Sequence, residues 1–166
     1  MWNKAVFFDR DGTLNVNTDY LYKKEDFRWM PQAVEAVKYA NDRGYLVIVV
    51  TNQSGIARGY YTEEDVKLLH QWMNEELNKK DARIDAFYYC PYHISGSVPE
   101  YARDSEDRKP RPGMVLKAMA DFHIDPQQSI MIGDKPLDVE CAANAGIKGV
   151  LYDGKSLLKC LSSYIK

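Results

Sequence analysis

Ala5-Val6-Phe7-Phe8-Asp9-Arg10-Asp11-Gly12-Thr13-Leu14 is the stretch on which the fold turns. An apolar run stops at two carboxylates, one residue apart, and Gly-Thr follows. Such a run reads as a buried strand delivering acids to its C-terminal end. In open parallel sheets, ligands bind outside those ends. Side chains at i and i+2 point the same way along a strand, so Asp9 and Asp11 can face one small volume. Two carboxylates that close repel each other. A hard cation such as Mg²⁺, which prefers oxygen ligands, relieves the repulsion. One carboxylate can then attack phosphorus while the other carries a proton. Asp-Gly is also an ordinary turn signal, so this stretch alone leaves a plain acidic turn open.

Outward from it, the chain alternates. The first strand covers Lys4–Phe8, and residues 15–28 form a polar, aromatic connection that reads as a surface loop or a binding lid. Pro31 opens a helix to about Arg43, which Gly44 ends. Tyr45–Val50 is a second buried strand, leading into Thr51-Asn52-Gln53-Ser54-Gly55. Thr62 and Asp65 form a weak capping box before a helix with Val66, Leu69, Met73 and Leu77 on its buried stripe. His70 and Trp72 on that helix read as packing or surface residues. Ile84–Tyr89 is a third strand. Residues 90–111 are long and irregular, and a helix follows to about Phe122. Strand Ser129–Gly133 ends in Asp134-Lys135. A short helix from Leu137 to Ala145, a fifth strand over 147–152 and a closing helix over 156–165 complete the chain. This order predicts an α/β fold: a three-layer, Rossmann-like domain with a mainly parallel sheet of about five strands and no large cap domain. One domain over 1–166 is expected, with loop insertions at about 15–30 and 90–112.

The composition sets limits. The 166 residues are 45% hydrophobic and 28% charged, ordinary for a globular chain with a sizeable core. Basic and acidic residues number 22 and 24, for a net charge of −2. With no basic surplus, no nucleic-acid partner is expected. Cys90, Cys141 and Cys160 are odd in number and widely spaced, so they do not form a disulfide framework. No leader and no apolar run long enough for a bilayer is read, so the expectation is a cytoplasmic chain with no membrane partner, acting as a monomer.

Three strands end in polar residues: Asp9 and Asp11, Thr51 and Asn52, and Asp134. Arg108-Lys109 precedes a helix. Neighbouring parallel strands bring their ends side by side, so these groups can meet. Each suits phosphoryl transfer, where positioning and charge stabilisation dominate. Thr51 offers a hydroxyl, Asn52 an amide, Lys109 a point charge and Arg108 a bidentate fork. Asp134 joins the two N-terminal aspartates in an oxygen-rich Mg²⁺ site. Singly, each reads equally well as a cap, a turn or a solvated charge run. Together, at successive strand ends, they read as one site.

These residues resemble the haloacid dehalogenase-like superfamily of aspartate-nucleophile phosphatases. The resemblance rests on Asp9-Arg-Asp-Gly-Thr13, Thr51-Asn52, Lys109 and Gly133-Asp134, and spans nearly the whole chain. Thr51-Asn-Gln-Ser-Gly-Ile-Ala-Arg-Gly59, Cys90-Pro-Tyr-His93 and Arg108-Lys-Pro-Arg-Pro-Gly-Met114 are similar to the D-glycero-D-manno-heptose 1,7-bisphosphate phosphatases. The related histidinol-phosphate phosphatases share most of these motifs. The resemblance implies that Asp9 is the nucleophile, forming an aspartyl phosphate, and that Asp11 is the acid and base. It implies Mg²⁺ held by Asp9, Asp11 (through its carbonyl) and Asp134, with Thr51 and Lys109 stabilising the phosphoryl group. Asn17, Thr18, Asp19, Tyr20, Asn52, Gln53, Ser54, Arg108 and Lys135 are expected to bind a small phosphorylated sugar, Arg108 at its distal phosphate.

One motif departs from the pattern. Relatives with a zinc loop carry four Cys or His ligands where this chain has Cys90, Tyr92, Ser105 and Asp107. Tyr and Ser are poor zinc ligands, so no structural zinc is expected, and Cys90, His93 and Asp107 are not expected to rescue the site. Histidinol phosphate is the alternative substrate. A phosphosugar-binding protein without catalysis is the alternative of another class, which the intact Asp9 and Asp11 argue against.

Overall fold

The computed structural model describes residues 1–166. Five parallel strands form one sheet: β1 (Ala5–Phe8), β2 (Leu46–Asn52), β3 (Ala86–Cys90), β4 (Ile130–Gly133) and β5 (Lys148–Leu151), in the order β3-β2-β1-β4-β5. β1 lies at the centre, with Phe8 paired to Val49 on one side and to Ile132 on the other. The helices are α1 (Ala33–Asp42), α2 (Glu63–Asn78), α3 (Gly113–Phe122), α4 (Pro136–Ala145) and α5 (Leu157–Ser162).

Strand alternation divides the interior in two. Val6, Phe8, Val47, Val49 and Ile132 point into one core with Val37 of α1, Leu69 of α2 and Leu157 of α5. Ala5, Phe7, Ile48, Val50 and Met131 point into the other with Val115 of α3 and Cys141 of α4. The strands are therefore apolar on both faces, and the result is the expected three-layer, Rossmann-like α/β sandwich. Phe7 and Phe8 are completely buried, so truncating either to alanine would cost about 3–5 kcal/mol. No helix is long and apolar enough to cross a membrane.

Element boundaries differ where tertiary pairing decides them. β2 runs on to Asn52, because Thr51 and Asn52 pair with Tyr89 and Cys90 of β3. β3 itself starts at Ala86 and ends at Cys90, later than the Ile84–Tyr89 expected. α1 starts at Ala33, since Gln32 has a left-handed φ of 57° that no helix continues through. α4 begins at Pro136, a residue suited to the first helical turn. α5 spans six residues only.

The first long connection is closed at its base. Val16 N donates to Arg28 O and Met30 N to Leu14 O, both at 2.8 Å. Leu21 and Phe27 anchor it in the core, and its tip at 17–20 stays exposed. The second begins at Cys90, the last residue of β3, and residues 91–112 contain neither helix nor strand. Neither insertion builds a large cap.

Candidate active site

β1, β2 and β4 are neighbours, so Asp9, Thr51 with Asn52, and Asp134 meet at one edge of the sheet. Gly12 makes the turn: its φ is +91°, and a Cβ there would strike the Asp134 carboxylate. Gly133 is needed equally, since a Cβ would run into Asp138.

Lys109 lies at the floor of the site, 3% exposed. Its Nζ donates to Asp9 Oδ1 at 2.6 Å, Asp138 Oδ1 at 2.7 Å and Val50 O at 3.0 Å, so all three donors are used. Asn52 fixes the Lys109 backbone: Nδ2 donates to Lys109 O at 3.2 Å, and Oδ1 accepts from Lys109 N at 3.0 Å. Burial pushes the Asp9 carboxyl up, and Asp138 adds to this, while Lys109 pulls the other way; the result is about 8. Lys109 keeps its proton, since the charges of Asp9 and Asp138 outweigh its burial.

Asp11 is treated differently. Burial acts to raise its pKa, but Arg10 and hydrogen bonds from Asn15 and Gln53 outweigh it and hold the carboxyl below the usual range. Arg10 is fully buried, and its Nη2 reaches Asp11 Oδ1 at 3.1 Å and Leu21 O at 3.0 Å. Its Nη1 meets His70 Nε2 at 3.1 Å. Guanidinium has only donors, so His70 Nε2 is the acceptor and its proton sits on Nδ1. Gln53 Nε2 donates to Asp11 Oδ2 at 3.0 Å and to Thr51 Oγ1 at 2.9 Å, while Tyr61 OH donates to Gln53 Oε1 at 2.5 Å.

A cleft of about 230 Å³ opens over these groups. Asp9, Asp11, Asn17, Asp19, Tyr20, Thr51, Asn52, Gln53, Ser54, Arg108, Lys109 and Lys135 all line it, and Tyr61, Leu137 and Asp138 complete it. Of the expected binding residues, Thr18 alone stands aside, on a neighbouring surface depression. The residues that follow it, Asp19 and Tyr20, have left-handed φ values of 54° and 57°. Asp134 is half-buried beside the cleft without lining it, its Oδ1 at 3.5 Å from Thr13 Oγ1. Arg108 keeps one buried guanidinium nitrogen, Nη1, without a partner.

Carboxylate oxygens of Asp9, Asp134 and Asp138 lie within 4.8 Å of one another. Three carboxyl groups meet one ammonium there, and with all three ionised the double negative charge is one that a divalent cation would neutralise. Asp138 is the member that sequence reading missed. Its signal was its place in the first turn of α4, where Oδ2 accepts Lys135 N at 3.2 Å. A carboxylate there is equally an ordinary helix-dipole residue. Arg10, His70 and Tyr61 were also missed, and only their tertiary contacts identify them.

The family model for HAD-hydrolase-like proteins matches residues 107–157. A D-glycero-β-D-manno-heptose-1,7-bisphosphate 7-phosphatase of Rhodopseudomonas palustris is 44% identical over 92% of this chain and 85% of its own length. The Haemophilus influenzae protein of that name is 43% identical over 88% of this chain and 79% of its own. A solved structure, the D,D-heptose 1,7-bisphosphate phosphatase of B. bronchiseptica complexed with magnesium and phosphate, superposes with a TM-score of 0.80. It is 26% identical, covering 97% of this chain and 86% of that one. With this similarity over most of its length, and a paired-aspartate cleft at the end of its central strand, the chain belongs to the haloacid dehalogenase-like phosphatases, a family of phosphoric monoester hydrolases.

Proposed function

We propose that this chain is a Mg²⁺-dependent phosphatase that removes the C7 phosphate of D-glycero-D-manno-heptose 1,7-bisphosphate. The observation that carries the reading is a cleft whose floor holds the Asp9 carboxylate beside Lys109, within reach of a divalent cation, and whose wall carries Arg108 with an unpaired donor for a second phosphate. The similarity to heptose bisphosphate phosphatases supports the sugar. Their place in nucleotide-heptose synthesis for surface polysaccharide is the implied context.

Asp9 is the nucleophile. Lys109 occupies Oδ1, which leaves Oδ2 free of hydrogen bonds to attack phosphorus. The P–O bond to the sugar breaks as the Asp9–P bond forms. Asp11 acts as acid and base: once protonated it passes that proton to the leaving sugar oxygen, and the resulting carboxylate, the form that Arg10, Asn15 and Gln53 favour, takes a proton from the water that attacks the aspartyl phosphate and releases inorganic phosphate. Gln53 and Arg10 hold Asp11 in place. Thr51 and Lys109 face the charge that develops on the phosphoryl oxygens. Asp9, the backbone carbonyl of Asp11 and Asp134 would hold Mg²⁺, which supplies positive charge to the phosphoryl oxygens and keeps Asp9 ionised. Asp138 is engaged by Lys109 and serves to position it.

We read the 90–112 loop as working without zinc. Cys90 Sγ turns to Tyr92 O at 4.0 Å, and the Asp107 carboxylate is taken by Lys117 at 2.5 Å.

Steady-state phosphate release, with and without Mg²⁺, tests the whole reading. Heptose 1,7-bisphosphate should be turned over with the highest kcat/KM, and removal of Mg²⁺ should abolish release. Equal or better turnover of histidinol phosphate, whose amino group suits Asp19 in the lid, would overturn the substrate.

A further inference from the structure

One carboxylate outside the cleft joins three elements. Glu63, the first residue of α2, accepts Tyr89 OH at 2.6 Å on Oε1 and Tyr101 OH at 2.5 Å on Oε2. Tyr89 belongs to β3, and Tyr101 lies midway along the 90–112 loop. The start of α2 is itself held rigid. Thr62 Oγ1 accepts Asp65 N at 3.1 Å, and Asp65 Oδ2 accepts Thr62 N at 2.9 Å. The two phenols, Tyr101 before Tyr89, hold the Glu63 carboxyl below its usual range.

On the loop side, Tyr101 is built into its surroundings. Its carbonyl accepts His93 N at 3.2 Å, and its amide donates to Val98 O at 3.0 Å. A second attachment lies nearby: Ser97 N and Val98 N both donate to Ala57 O, at 2.8 and 2.9 Å. Gly96 lies so close to Ala57 that a Cβ would strike its backbone. The residue after Ala57 is Arg58, and the far end of the loop is Arg108. Arg58 Nε and Arg108 Nη1 are both buried without a partner. The pair is close enough that Arg58, after burial, helps hold Arg108 below its ordinary pKa.

We propose that Glu63 is a positioning residue: its carboxylate docks the loop onto α2, and that joint sets the place of Arg108, which lines the cleft with a donor left unpaired, to grip the second phosphate of a bisphosphate. The clamp serves as the loop's anchor in the absence of metal. This rests on the bisphosphate reading above. Two charge-assisted hydrogen bonds to one carboxylate are strong enough for the task.

The test uses Glu63→Ala, Glu63→Gln and Tyr101→Phe. Amide hydrogen exchange is followed over residues 92–108, and kcat and KM are measured for heptose 1,7-bisphosphate and heptose 7-phosphate. In Glu63→Ala, exchange over 97–103 should quicken and KM for the bisphosphate should rise about tenfold, with kcat and the monophosphate KM within about twofold. Tyr101→Phe, which loses one hydroxyl, should shift the same quantities less. Glu63→Gln, whose amide oxygen still accepts a phenol, should recover part of the loss. Unchanged exchange in both Glu63→Ala and Tyr101→Phe, or an equal loss on both substrates, would overturn the proposal. A wild-type enzyme indifferent to the second phosphate would overturn the bisphosphate reading, whereas faster exchange in the variants would still uphold the docking role.

Discussion

Lys109 Nζ stands 2.6 Å from Asp9 Oδ1, and the same nitrogen is 2.7 Å from Asp138 Oδ1. The lysine is thus held between two buried carboxylates, and its position relative to Asp9 depends on Asp138. Replacing Asp138 with Asn removes one of the two charges. The expected outcome is a kcat about 10²-fold lower with KM little changed, because the loss falls on positioning. Breaking a buried ion pair should also lower stability by about 3 kcal/mol. Kinetics with phosphate detection and urea unfolding check both.

Asp9→Asn removes the carboxylate oxygen proposed to attack phosphorus while keeping the shape of the site. Phosphate release should fall by at least about 10⁴-fold, and no phosphorylated enzyme should form. Mass spectrometry of enzyme quenched during turnover, beside the rate, checks this. A variant that retained Mg²⁺-dependent release would sink the mechanism.

His70 makes stability depend on pH. It is buried against Arg10, Phe87 and Tyr89, and burial first, then the Arg10 charge, push its pKa well below 6.5. The folded protein holds it neutral, while the unfolded chain takes up a proton near 6.5. Its contribution is therefore complete above pH 6.5 and is lost as pH falls below it, by at most about 1.4 kcal/mol per pH unit. His70→Gln keeps an acceptor for Arg10 without a titrating ring. Thermal unfolding of the two proteins from pH 7.5 to 5 should show a shallower decline for the variant.

Gly12→Ala should damage the site more than the fold. The left-handed φ strains any side chain, and the Cβ would displace Asp134. A loss of about 1–3 kcal/mol in stability is expected, with a larger effect on the Mg²⁺ concentration needed for half-maximal activity. Denaturant melts and a Mg²⁺ titration separate the two.

What the sequence determined by itself was local in origin. Apolar runs that stop at Asp9, Thr51 and Asp134 mark parallel strand ends, because strands buried on both faces must be apolar throughout and polar residues can begin only where the sheet stops. The alternation with helices then implied the layered fold, and adjacency of parallel strands gathered the polar ends. Only the tertiary structure decided the rest. Asp138 is a first-turn helix carboxylate until Lys109, 29 residues away in sequence, is seen to reach it. His70 and Arg10 pair across 60 residues, and Glu63 meets Tyr101 across 38. Thr18 falls outside the cleft that Asn17, Asp19 and Tyr20 line, because the loop backbone takes left-handed turns at Asp19 and Tyr20 that no residue pattern announced. Hydrogen bonds of that range depend on where two elements dock, and docking is set by the packing of the whole core, which no short stretch of sequence contains.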